Sequence, residues 1–374
     1  MPAARRIGAD MSRQRSFSGF FPNAACIHGI PALWYGKKLQ NVFMMKSRIS
    51  VIVAVYRGEK YIAQQLESLF HQTRIPDEIL IGDDSPDDAS FQVIESIRDQ
   101  FPCRLRYIRN SPRLGFLRNF ISLANQAKGD LIFFCDQDDI WLPRKIETLA
   151  EVLERDPSGK IAVCNSEMMD VEGNSFHETL LDGISNFPEI IRQINAGKGF
   201  FPLINQSVQL SGHNMAVRRD FVPILNQIPE HYTVHDLWMQ HAGALLGVLR
   251  YVDQPLTRFR IHAGNTSTPK LKKVRNSLFH RFGEIRRSAN DIFLTADWIH
   301  DLARFMEQAC PASPNGDFLR GYDRYFVRRT ELLRRNQLVR LLLLSVHPSW
   351  IRDYLRYGVG VRSLLRDLIS RTVR

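Results

Sequence analysis

Residues 133–146 read FFCDQDDIWLPRKI, an apolar run that passes straight into three acids within four positions. Phe133, Phe134 and Cys135 have the character of a buried strand, and Pro143 suits the first turn of a helix. The acids Asp136, Asp138 and Asp139 therefore occupy the connection between strand and helix. Like charges this close repel, so the cluster costs free energy unless a cation or a proton is held there. A solvated turn is the ordinary explanation for such acids. Here, however, the turn continues into Trp141 and Leu142, an apolar pair for which a solvent-facing turn has no use.

Outward from this stretch the chain alternates in period. Residues 49–55 form a short apolar run rich in β-branched side chains and read as a buried strand. Residues 59–73 read as a helix with Ile62, Leu66, Leu69 and Phe70 on one face. A strand over 78–82 runs into Asp83 and Asp84, a helix follows near 90–100, and 105–108 is a third strand. A helix over 116–127 leads to the strand 131–135, and a helix from Pro143 precedes a strand at 161–165. Residues 170–205 are less regular and read as an inserted loop or surface helix. Beyond them, 208–211, 248–252 and 256–261 read as strands, with a helix over 237–246.

Alternating strands and helices of this length predict an α/β fold with right-handed crossovers and a mainly parallel sheet. Ligands of such sheets bind outside the carboxyl ends of the strands. Tyr56, the Asp83-Asp84 pair and Asp136–139 each fall at such an end, on three different strands. Their convergence points to one site.

Composition sets the bounds. The chain has 374 residues, 44% of them hydrophobic, enough for a sizeable core. The net charge of +11 is unevenly spread. Residues 1–46 carry 7 Lys/Arg against 1 acid, residues 47–268 carry 22 against 28, and residues 269–374 carry 21 against 10. The patterned middle is thus acidic and the basic charge sits in the flanks, which assigns the basicity to attachment and leaves no nucleic acid expected as a partner. Five scattered cysteines without a CxxC pair suggest reduced thiols. The three segments give the expected domains: 1–46 disordered or an upstream extension, 47–268 the catalytic unit, and 269–374 helical and basic. Residues 338–346, LVRLLLLSV, are too short to span a bilayer but suit a membrane interface or a packed helical subdomain equally well.

Three chemistries fit the acids. Clustered carboxylate oxygens suit Mg²⁺ or Mn²⁺ shared with a phosphate. An Asp-x-Asp phosphatase would use Asp136 as nucleophile, although Ile140 and the position after the fourth strand fit that class loosely. A calcium loop fails for want of the turn glycine and the terminal glutamate.

The ordered segments ISVIVAVYRGEKYIAQQLESLFHQT, DEILIGDDSPDDAS, RLGFLRNFISLANQAKGDLIFFCDQDDIWLPRKI and VHDLWM resemble the family 2 glycosyltransferases of GT-A fold. The DQDDIWLP form is similar to the bacterial rhamnosyltransferase-like members. The resemblance covers about residues 47–268 and implies inverting transfer of a sugar from a nucleoside diphosphate donor. It implies that Tyr56 lines the base, that Asp84 with Asp83 beside it bonds the base, and that Arg118 approaches the diphosphate. It further implies that Asp136 contacts ribose or a metal-bound water, that Asp138 ligates Mg²⁺ or Mn²⁺, and that His262 in RFRIHAGNTS reaches back to the metal or diphosphate. Asp236 in VHDLWM would be the base that deprotonates the acceptor hydroxyl. Three positions depart from the family: Arg57 stands where Asn is usual, DDSPDD replaces a loop richer in Gly, Ser and Thr, and His235 precedes Asp236 where Glu is typical. Together these features lead us to expect an enzyme on the cytoplasmic face of a bacterial membrane, with a glycan or lipid-linked glycan as acceptor and peripheral contact with anionic lipid.

Overall fold

The computed structural model describes residues 46–265, apart from 183, 185, 199–202, 204–207, 209 and 231, together with 297–309 and scattered positions to 331. The expected extension at 1–46, save Lys46, and the 338–346 segment lie outside the described residues.

One nine-stranded sheet organises the described chain. Strands β1 (Ile49–Val55), β2 (Glu78–Asp83), β3 (Arg104–Arg109) and β4 (Leu131–Asp136) form a parallel half in the order β3-β2-β1-β4. Helices α1 (Ile62–Phe70), α2 (Ala89–Ser96) and α3 (Phe116–Gln126) make the crossovers. The second half holds β5 (Ile140–Trp141), β6 (Ile161–Met169), β7 (Ser175–Thr179), β8 (Met215–Arg218) and β9 (Leu249–Arg260). Its helices are α4 (Lys145–Arg155), α5 (Phe187–Asn195), α6 (Val222–Leu225) and α7 (His235–Leu245). Strand β8 joins the halves by pairing antiparallel with both β4 and β6. The arrangement is a GT-A, Rossmann-like fold.

Period-two alternation places the two cores. Ile52 of β1, Leu80 of β2 and Ile132 and Phe134 of β4 face a layer that contains Phe120 and Leu123 of α3 and Trp238 and Met239 of α7. Val51, Val53, Ile79, Ile81, Leu131 and Phe133 face the opposite layer, against Leu66 and Leu69 of α1 and Ile146 and Leu149 of α4. Both faces are covered, which is why these strands read as continuous apolar runs.

Differences from the sequence expectation have local causes. Val208, Leu210 and Ser211 are not in a strand; Leu210 N–H donates to Gln240 Oε1 of α7 and Val208 N–H to Leu203 O, so other segments take the partners a strand would offer. The sheet is joined instead by the next segment, β8. The two strands expected over 248–261 are one long strand with bulges opposite Cys164–Ser166. Residues 170–205 contribute both a short strand, β7, and the helix α5.

Residues 297–309 are helical, and Ile299, Leu302, Phe305 and Met306 are buried in the α7-side core, where Phe305 meets the Trp238 ring edge-on with centroids 5.5 Å apart. Among the described residues no helix is long and apolar enough to cross a membrane.

Candidate active site

Sheet register decides what meets at the carboxyl edge. Val55 is opposite Asp83 and Ala54 opposite Asp136, so Tyr56, Asp84 and the DQDD turn leave the sheet side by side. Antiparallel pairing of β5 with β9 sets Ile140 against Arg258 and Trp141 against Thr257, which carries Arg260 and His262 to the same turn. Pairing of β8 with β4 delivers the preceding 3-10 turn, Gly212–Asn214, to the end of β4.

Gln137 braces the edge. Its Oε1 accepts the Tyr56 N–H at 2.8 Å and its Nε2 donates to Tyr56 O at 3.1 Å, locking the ends of β4 and β1 together. The Arg113 guanidinium lies 3.9 Å from the Tyr56 ring centroid. Arg57 has φ of 51°, the left-handed region where Asn is tolerated better than Arg, which explains the residue type usual in the family at this position.

The two acids after β2 serve the local frame. Asp83 is buried, accepting Ser85 N–H at 2.8 Å and Tyr107 O–H at 2.7 Å. Asp84 accepts Asn110 Nδ2, Leu114 N–H and Gly115 N–H at 2.8–3.0 Å, so its carboxylate anchors the loop entering α3. Gly115 takes φ of 81° at the start of that helix, a conformation that favours glycine. Arg118 is exposed on the first turn of α3.

The acids of DQDD differ in surroundings. Asp138 Oδ2 is 2.8 Å from His262 Nε2. Burial drives its pKa up and Asp136 adds to the rise, while the His262 contact opposes it. Asp139 is fully buried; Oδ1 accepts the Arg260 N–H at 3.2 Å and Oδ2 has no hydrogen-bond partner. Its pKa is raised by burial first, then by Asp138 and Asp136, against the opposing pull of His213. His213 Nδ1 lies 3.7 Å from both Asp136 Oδ2 and Asp139 Oδ2. Beneath them Lys145 Nζ donates to His213 O at 2.6 Å and Thr257 Oγ1 at 2.7 Å, and burial lowers its pKa to about 8.

Three carboxylates and two imidazoles at one turn, with a buried carboxylate oxygen unpartnered, fit a divalent cation. Asp136, Asp139 and His213 each offer a ligand atom within 4.8 Å of the others. Asp138 stands beside them, in contact with His262.

Asp236 opens α7. Oδ1 accepts the Leu237 N–H at 2.7 Å and Oδ2 the Gly212 N–H at 3.1 Å. Burial raises its pKa, with Asp136 close enough to add to the rise. His235 belongs to the core instead. Its ring stacks on Phe134 with centroids 4.7 Å apart, touches Phe116 and Phe120, and burial holds it neutral. A Cβ on Gly212 would meet His235 Nε2 at 2.5 Å, so glycine is needed there for the turn to approach.

The fold therefore gathers Tyr56, Asp83, Asp84, Asp136, Asp138, His262 and Asp236 along one edge. Gln137, Arg113, Lys145 and the placement of His213 beside the acids were not read from the sequence. No local spacing reports them, because their partners come from strands paired across long sequence separations. Trp141 and Trp238 are both core residues, with Trp238 Nε1 donating to Ile224 O at 2.8 Å.

Residues 50–222 match the glycosyl transferase family 2 profile. An uncharacterized glycosyltransferase of Nostoc sp. is 25% identical over 228 residues, 58% of this chain and 66% of that protein. An uncharacterized glycosyltransferase of Methanocaldococcus jannaschii is 29% identical over 136 residues, 36% of this chain and 47% of that protein. The chain thus spans under two thirds of the length of these relatives. The crystal structure of S. aureus TarS 1–349 in complex with UDP covers 87% of this chain and 90% of its own at 17% identity, with a TM-score of 0.45. Residues 50–222 of the chain are thus similar to a glycosyl transferase family 2 domain.

Proposed function

We propose that this protein transfers a sugar from a nucleoside diphosphate donor to a hydroxyl of a glycan or lipid-linked glycan, with inversion, in cell-surface polysaccharide assembly. The observation that carries this is the meeting of Tyr56, the DQDD turn and Asp236 at one strand edge, set by the β1–β2, β1–β4 and β4–β8 registers. Tyr56, with Arg113 over its ring and the Asp84-anchored loop beside it, lines the base pocket. Arg118, exposed on α3, supplies charge toward the diphosphate. Asp136 faces the ribose and Asp138, backed by His262, holds the cation. A bound Mg²⁺ or Mn²⁺ supplies positive charge to the diphosphate as it leaves. Asp236, oriented by the Gly212 and Leu237 amides, takes the proton of the acceptor hydroxyl, a poor nucleophile without such help. Burial raises its pKa, which makes it a stronger base than an ordinary aspartate. The basic flanks make peripheral contact with anionic membrane lipid on the cytoplasmic side, where lipid-linked acceptors lie.

The deciding experiment is a binding and turnover screen across nucleoside diphosphate sugars with Mn²⁺ present. Rhamnose donors come first because of the DQDDIWLP form. Saturable, metal-enhanced binding of one donor supports the proposal; no binding to any donor and no donor hydrolysis overturns it.

A further inference from the structure

We infer that Lys145 is the positioning residue for Asp236, the base of the proposed transfer on whose reading this inference rests. Its buried ammonium clamps the Gly212–Asn214 turn, which holds the Asp236 carboxylate. Lys145 opens α4 and is fully buried, which a lysine seldom is. Nζ donates to His213 O at 2.6 Å and to Thr257 Oγ1 at 2.7 Å, and it lies 3.7 Å from the Trp141 ring centroid. A carbonyl, a hydroxyl and an aromatic face thus surround the charge. Trp141, the apolar residue behind the acids, has its use here.

These partners come from three segments. His213 O belongs to the turn that enters β8, Thr257 lies on β9 opposite Trp141, and Trp141 is on β5 directly after the acids. One residue from the clamped carbonyl, the Gly212 N–H donates to Asp236 Oδ2 at 3.1 Å. Any shift of this turn therefore moves a donor of the carboxylate. Lys145 links the strand that follows the acids to the backbone that aims the base.

A contact made for packing alone would not need the charge. A neutral side chain could fill the same space, and desolvating an ammonium is costly. Burial lowers the Lys145 pKa to about 8, with Cys164, Cys135, Asp139 and Asp136 opposing the fall, so the ammonium persists at neutral pH. Nor does the start of α4 depend on it. Ser68 Oγ accepts the Trp141 N–H at 3.0 Å, Gln72 Oε1 accepts the Ile146 N–H at 3.1 Å, and Gln72 Nε2 donates to Leu142 O at 2.9 Å. The His213 ring is held separately, with Nε2 2.9 Å from Ser166 Oγ and its face on Phe259. What the ammonium adds is a hold on the backbone of the turn.

The test is backbone amide exchange in the donor-free full chain, wild type against Lys145→Met, whose thioether suits the Trp141 face. The Gly212 and Asn214 amides should exchange faster by about tenfold, the least expected from losing a hydrogen bond to a charged donor. Those of Trp141 and Ile146, held by α1, should not change. With a rhamnose nucleotide as donor and an octyl glycoside as acceptor, turnover per folded molecule should fall by up to about 10²-fold at nearly unchanged donor affinity. Unchanged exchange at Gly212 and Asn214, normal turnover, or donor affinity lost in step with turnover overturns the clamp. Thr257→Val keeps the ammonium but removes one acceptor, and should show the same pattern more weakly. Unchanged exchange there overturns the clamp even if Lys145→Met does not fold. Absence of transfer by the wild type with any donor overturns the transferase reading instead, and the exchange data, which need no donor, still judge the clamp.

Discussion

His262 Nε2 stands 2.8 Å from Asp138 Oδ2, while Nδ1 of the same ring accepts the Gly264 N–H at 3.1 Å. With Nδ1 accepting, the neutral ring carries its proton on Nε2 and donates it to Asp138. The loop is pinned behind this contact by Asn265, whose Oδ1 accepts the His262 N–H and whose Nδ2 donates to Arg260 O. His262 therefore supports the charged form of a carboxylate that burial and Asp136 both disfavour.

From this contact comes a pH prediction. On the proposed reading Asp138 binds the cation only in its ionised form, and deleting the His262 bond lifts the Asp138 pKa further. Metal-dependent donor binding in His262→Ala should begin at higher pH than in the wild type, and in Asp138→Asn it should be lost with the fold intact. Calorimetry across a pH series reads both; an unchanged onset in His262→Ala separates the histidine from Asp138 ionisation.

Gln137→Ala should loosen the strand edge. The substitution removes both hydrogen bonds to Tyr56 and leaves the Tyr56 N–H and C=O without them. At about 0.5–1.5 kcal/mol for each, the loss is about 1–3 kcal/mol, read by denaturant unfolding. Donor affinity should weaken as well, because Tyr56 loses its anchor; a variant as stable as the wild type would deny the brace.

Asp236→Asn should abolish transfer while leaving donor affinity nearly unchanged, since on the proposed reading the residue serves the nucleophile. Loss of base assistance costs about 10²–10⁴-fold in rate. In the wild type, burial raises the Asp236 pKa, so turnover should fall with acidification at a pH above the ordinary aspartate range. Normal turnover in the folded variant removes Asp236 from the chemistry. His235 is no substitute, being buried among Phe116, Phe120 and Phe134.

Glu154 should govern acid stability on the opposite face. Arg74 binds both its oxygens, at 2.9 and 3.1 Å, and the Ser47 N–H donates to Oε1 at 2.7 Å. Burial opposes its charge, but the bonds from Arg74 and Ser47 win and hold its pKa below the usual value. A depressed carboxylate stabilises the fold above its unfolded pKa, and that contribution is lost as pH falls through the folded value. Both side chains are about nine-tenths buried, so Glu154→Ala should cost about 3–5 kcal/mol by stranding Arg74. The double replacement Arg74→Met with Glu154→Leu should recover most of it. Chemical unfolding of the three variants at pH 7 and pH 4 distinguishes a buried pair from a solvated one.

Residue order alone determined the alternation of strands and helices, the acid-bearing strand ends and the resemblance to the family 2 glycosyltransferases. These are local signals: period two for strands, period 3.6 for helices, and contiguous motifs such as DQDDIWLP. Asp138 and Asp236 were legible as candidate site residues for that reason. The tertiary structure decided what their neighbours do. His213 reaches Asp136 only because β8 pairs antiparallel with β4, and Arg260 reaches Asp139 only because β9 pairs with β5, across more than a hundred residues. The sequence placed a strand at 208–211, whereas the pairing fell to Met215–Arg218, since Gln240 of α7 had already taken the Leu210 amide. Hydrophobic pattern fixes which face of a strand is buried. Which strand lies beside it, and so which charges meet at its end, is settled by the competition of backbone groups for partners in the folded chain.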